Sequence, residues 1–64
     1  MKTYYELLET RAFELDIKIL KAFAKAGVPS STYYRAKLGR TAMRYQTAMK
    51  VLQALEDIYE ESFS

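Results

Sequence analysis

The chain reads as all-α, a compact bundle of about four helices, and three observations carry that expectation. Half of its 64 residues are apolar, yet only two are Gly and one is Pro, so helix breakers are confined to a few points. Apolar residues recur at Tyr5, Leu8, Ala12 and Leu15, the spacing of one face of a helix. The breakers Gly27, Pro29 and Gly39 punctuate the middle of the chain and leave helix-length segments between them.

The first helix opens on Thr3-Tyr4-Tyr5-Glu6, a capping box in which the Thr hydroxyl and the Glu carboxylate can satisfy the first backbone N–H groups. Asp16 is placed to cap a second helix over 17–26, although the pattern fits a single helix over 3–26 equally well. Gly27 ends that helix in the left-handed conformation that other residues resist. Pro29 fits a turn or a first helical turn, and Ser30 or Ser31 can cap a short helix over 30–38 that stops at Gly39. A final helix begins near Thr41 or Met43, covers about 42–60, and turns Tyr45, Ala48, Met49, Leu52, Leu55 and Ile58 or Tyr59 inward. Residues 60–64 read as a frayed tail. Without repeats or low-complexity segments, 1–64 reads as one domain.

A chain of this length buries only about 60% of the surface its unfolded form exposes, so dimerisation would help it. It has no cysteine, which removes disulfides and thiolate metal sites and makes an ordinary cytoplasmic setting the expectation. No apolar run approaches the roughly 20 residues of a membrane span, and the N-terminus lacks the pattern of a signal peptide.

Charge is the most polarised property. Between Asp16 and Glu56 lie Lys18, Lys21, Lys25, Arg35, Lys37, Arg40, Arg44 and Lys50 and no acid, while all eight acids sit outside that stretch. The net charge of +2 hides this division. A basic centre calls for an anionic partner, and phosphate is the commonest. Catalysis is not expected: there is no His, Cys or Gly-rich phosphate loop, and Glu56, Asp57, Glu60 and Glu61 read as a solvated face rather than an acid/base pair. No cofactor, metal or small-molecule substrate is expected either.

Two helices joined by a three- to four-residue turn containing Gly define a helix-turn-helix, and residues 17–38 have that form. Ala26-Gly27-Val28, Ser31-Thr32, Tyr34-Arg35 and Gly39, followed by Thr47, Lys50-Val51 and Ala54-Leu55, resemble the phage repressor and Cro-like helix-turn-helix family. The resemblance covers residues 17–58 and implies a lambda-repressor-like fold whose helix after the turn enters the DNA major groove. With Gly27 as the turn glycine, the buried motif positions fall on Ala22, Ala26, Val28, Tyr33 and Ala36. One position departs. The family has a small side chain four residues before the glycine, where this chain has Phe23, so either the helices stand further apart or Ala22 or Ala24 fills the contact.

Carried over, the family pattern implies Ser30, Ser31, Tyr34, Arg35 and Leu38 as the base-contacting face. Arg35 is the principal reader, since its planar fork can donate two hydrogen bonds to guanine. Lys18, Lys21, Lys37, Arg40 and Arg44 are suited to hold phosphates. Lys25 and Lys50 serve solubility as readily as phosphate binding. Tyr33 and Tyr45 read most simply as core, Met43 and Met49 as gap fillers, and Tyr4, Tyr5 and Tyr59 as core or subunit contact. The expected function is a sequence-specific DNA-binding transcriptional regulator of the phage- or prophage-type repressor or Cro class. It would bind double-stranded DNA as a homodimer built through the N-terminal helix, the loop before the last helix, or the tail. The alternative is a module of the same shape that binds protein, such as an antitoxin or an adaptor.

Overall fold

The Thr3 hydroxyl accepts the Glu6 backbone N–H at 3.2 Å and fixes the start of the first helix, α1 (Tyr4–Glu14). The structure, a computed structural model, describes residues 3–39 and 43–63. The Glu6 carboxylate in turn accepts from the Thr3 hydroxyl at 3.4 Å. Three more helices follow, α2 (Ile19–Ala26), α3 (Ser30–Lys37) and α4 (Tyr45–Glu61), with no strand among the described residues. None of the described helices is long and apolar enough to cross a membrane.

α1 and α2 are separate, and Asp16 divides them in a way its sequence position did not suggest. It does not cap α2. It takes the left-handed conformation, φ 56°, directly after α1. The Asp16 N–H then donates to Phe13 O at 3.1 Å and the Ile17 N–H to Ala12 O at 2.9 Å, the paired bonds that satisfy the last carbonyls of a helix. Of the residues at this corner Asp is the one that tolerates a positive φ, since β-branched Ile17 would clash there. Lys18 occupies the cap position of α2 with no side-chain cap bond.

The same device recurs at Gly27, φ 74°, where Val28 N–H reaches Phe23 O at 2.9 Å. Gly39, φ 72°, ends α3 with its N–H on Ala36 O at 3.1 Å. Ser30 and Ser31 do not cap α3. Pro29, with ψ 144°, takes the cap position itself and pushes both serines into the first turn, beyond reach of the amides that a capping hydroxyl serves.

α4 starts at Tyr45, after Arg44 at its cap position; Thr41 and Ala42 lie outside the described residues. Met43 is buried ahead of the helix rather than in it. At the other end α4 continues through Glu61, so Glu60 and Glu61 belong to the helix. The Ser62 hydroxyl donates to Tyr59 O at 2.6 Å, and the Tyr59 and Phe63 rings meet edge to face at 4.8 Å.

α4 packs along both α2 and α1, and the core collects between them. Tyr5, Leu8 and Ala12 enter from α1, Ala22 and Phe23 from α2, Tyr33 from α3, and Ala48, Val51, Ala54 and Leu55 from α4. The inward face of α4 differs from the expected one: Tyr45, Met49 and Tyr59 are exposed, Val51 and Ala54 are buried, and Leu52 and Ile58 lie at the margin. Close approach of α2 selects small side chains along that contact, and the larger ones are displaced to its flanks. Ala26, Val28 and Ala36, expected to be buried about the turn at Gly27, pack partly buried against the core. Phe23 is fully buried and so is Ala22 beside it, while Ala24 is exposed, so of the two alanines only Ala22 stands inside the core.

Candidate nucleic-acid interface

α3 is eight residues long and divides cleanly into two faces. Its inner face is held by aromatic contacts. The Tyr33 ring meets Phe23 of α2 with centroids 5.6 Å apart and Tyr5 of α1 at 5.8 Å. Tyr34 packs edge-on against Tyr33 at 5.0 Å, which steadies a side chain that is otherwise outside the core.

The outer face holds the five residues expected to face bases. Ser30, Ser31, Tyr34, Arg35 and Leu38 are all exposed. At about 100° per residue, Ser30, Tyr34 and Leu38 form one row and Ser31 and Arg35 the next, so the five share one side of the helix. Leu38, 67% exposed, has no packing reason to be apolar.

The expected phosphate contacts are distributed around this helix. Lys37 is its last residue, exposed, with its ammonium 5.8 Å from the centre of the Tyr33 ring. That is within the range of a cation–π contact and still leaves the charge open to solvent. Arg44 is exposed at the cap position of α4. Lys18 and Lys21 lie on the first turn of α2, the end about 12 Å from the turn that leads into α3. There they share a groove of about 480 Å³ with Asp16, Ile17, Tyr59 and Ser62. Arg40 lies outside the described residues.

The ion pairs sort the cations into two groups. Arg11 Nε donates to Glu56 Oε1 at 2.9 Å, and Lys25 Nζ donates to Glu61 Oε1 at 3.0 Å. The Glu56 carboxylate raises the Arg11 pKa above its ordinary value, with a smaller contribution from Glu14 at 3.7 Å. Among the described residues no carboxylate pairs with Lys18, Lys21, Arg35, Lys37, Arg44 or Lys50. Lys25 thus leaves the set of free cations through a partner 36 positions away, a pairing that no local pattern could signal.

The helix ends add a feature that the first turns already spelled out. α1 has a capping hydroxyl and Glu6 in its first turn, whereas α2, α3 and α4 have neither a side-chain cap bond nor an acid there. The Lys21 and Thr32 N–H groups bond back to Lys18 O and Pro29 O at 3.0 Å, but no side chain caps these helix starts, so their positive ends add to the potential of the lysines and arginines.

One buried group belongs to no site. The Tyr5 hydroxyl has no hydrogen-bond partner at bonding geometry among the described residues. Burial first, then the nearby Glu9 carboxylate and Tyr33 phenol, raise its pKa far above the usual tyrosine value and hold it un-ionised.

No protein-family model, curated protein or solved structure matches the chain.

Proposed function

We propose that the chain is a sequence-specific DNA-binding transcriptional regulator of the phage- or prophage-type repressor or Cro class, with α2 and α3 as a helix-turn-helix and α3 laid in the major groove. The observation that carries this reading is the outer face of α3: five exposed residues on one side of a helix, with Arg35 at one edge of that face and paired with no carboxylate among the described residues, and no acid on α2, on α3 or in the first turn of α4. A guanidinium held this way has the fork geometry for guanine O6 and N7. Ser30, Ser31 and Tyr34 supply hydroxyls for base edges or backbone, and Leu38 offers an apolar contact to a thymine methyl.

Positioning comes from Lys18, Lys21, Lys37, Arg40 and Arg44, which neutralise phosphates and fix the register of α3 without carrying sequence information themselves. The uncapped amides at the starts of α2, α3 and α4 favour the same anions. Occupancy of a site near a promoter then blocks or recruits polymerase according to where the site lies.

Selection of bound duplexes from a random DNA pool tests the reading. Enrichment of a motif containing guanine supports it. A folded chain that enriches no motif would sink it, and the protein-binding alternative, an antitoxin- or adaptor-like module of the same shape, would take its place.

A further inference from the structure

A groove of about 480 Å³ lies where the corner between α1 and α2 meets the last turn of α4. Leu15, Ile17 and Ile58 reach it from the margin of the core. Tyr59, whose ring Phe63 braces edge to face at 4.8 Å, lines it as well. These apolar walls are of no use in holding a DNA phosphate, which needs only cations and hydrogen-bond donors. Concave, mostly apolar hollows of about 300–1,000 Å³ with a few polar groups are where small organic ligands bind.

The polar groups define the ligand. Lys18 and Lys21 stand in the groove at the start of α2, and among the described residues neither has a carboxylate partner, although Asp16 lines the same groove. The positive end of α2, which no side chain caps, lies beside Lys18. The Ser62 hydroxyl donates to Tyr59 O at 2.6 Å, so the donors left to a ligand are the two ammonium groups and the helix end. Two ammonium groups against one carboxylate leave a single positive charge, which matches a monoanion. A cavity of roughly 150 Å³ takes benzene, so the groove has room for a body larger than one ring.

We propose that this groove binds a small organic monocarboxylate, with its carboxylate on Lys18 and Lys21 and its apolar body against Ile17, Ile58 and Tyr59, and that the ligand withdraws both lysines from DNA. The second half rests on the function proposed above: each lysine serves one anion at a time, so ligand and duplex compete, and the chain leaves its DNA site when the acid accumulates.

Isothermal titration calorimetry with naphthoate and no DNA tests the site by itself. The expected result is saturable binding at one site per chain. Naphthylmethanol, which keeps the body and lacks the charge, should bind at least about tenfold more weakly. Lys18→Gln and Lys21→Gln should each weaken naphthoate about three- to tenfold. Asp16→Asn, which the left-handed turn tolerates, should tighten it, and Lys50→Gln, outside the groove, should change nothing. With a duplex present, saturating naphthoate should weaken DNA binding and lower the slope of log K against log salt by about two, one for each lysine withdrawn. Absence of saturable binding overturns the proposal, as does binding that the alcohol equals or that neither lysine substitution weakens. Binding that leaves DNA affinity unchanged overturns the competition. A chain that takes up naphthoate but no duplex upholds the site and sinks the function proposed above, so the two failures are told apart.

Discussion

Phe23 of α2 meets the ring of Tyr33 of α3 edge to face, with centroids 5.6 Å apart and planes at 77°. Phe23 is 1% exposed and Tyr33 is the one residue of α3 in the core, so this contact sets the angle at which α3 is presented. Phe23→Ala should cost about 3–5 kcal/mol, which is the whole stability expected of so small a core. Circular dichroism should find the variant largely unfolded, whereas Phe23→Leu, which keeps much of the volume, should remain folded with a lower melting temperature.

Base reading and phosphate holding should separate by mutation. Arg35→Ala should remove about 1–3 kcal/mol of discrimination at the guanine positions of a selected site and relax preference there. Lys37→Gln should instead weaken all sequences alike and lower the slope of log K against log salt by about one. Titrations at several salt concentrations check both. If Arg35→Ala altered neither affinity nor preference, α3 would not be the reading element.

Asp16 occupies a left-handed position with φ 56° at the negative end of α1, where glycine is free of strain and carries no charge. Asp16→Gly should stabilise the fold by about 0.5–1 kcal/mol, after subtracting the extra freedom it gives the unfolded chain. Thermal unfolding should shift upward by several degrees.

Among the described residues the buried Tyr5 hydroxyl has no bonded partner. Tyr5→Phe removes only that oxygen and should be neutral or stabilising by about 1 kcal/mol. The variant should also change alkaline behaviour. The folded-state pKa of Tyr5 lies above the ordinary value of 10.0, so its contribution is intact below pH 10 and declines as the unfolded chain ionises above it. Denaturant titrations between pH 8 and 11 should show a fall in stability for the parent that is shallower in Tyr5→Phe.

Arg11 and Glu56 join α1 to α4 at 2.9 Å, but their side chains are 42% and 34% exposed and water screens the pair. Arg11→Ala should therefore leave the melting temperature nearly unchanged, with an even smaller effect in high salt.

The parts of this fold that were legible in the sequence are those set by neighbours in the chain. The Thr3 cap needs only Glu6, and the stops at Gly27 and Gly39 need only a residue without a Cβ. The buried positions about Gly27 also followed locally, because burial of Ala22 and Tyr33 reflects helical spacing about one turn. What was not legible depends on distant packing. Tyr45 looked like core by size and spacing, yet it is 59% exposed, because α2 claims the side of α4 where Val51 and Ala54 lie. Asp16 carries a side chain typical of an N-cap, and only the reversal of the chain between α1 and α2 makes it a C-terminal stop. The five outward residues of α3 were named from a family pattern, and the structure places them on one exposed face.

α3 enters the core through the ring of Tyr33, with Ala36 packed at its margin, while Ser30, Ser31, Tyr34, Arg35 and Leu38 are exposed and lie outside it. Those five positions can therefore be rewritten together at little risk to folding. If they set a base preference, the molecule is a ready chassis for reprogramming: a library randomised at five sites on an unchanged scaffold, in which a new specificity would not have to be traded against stability.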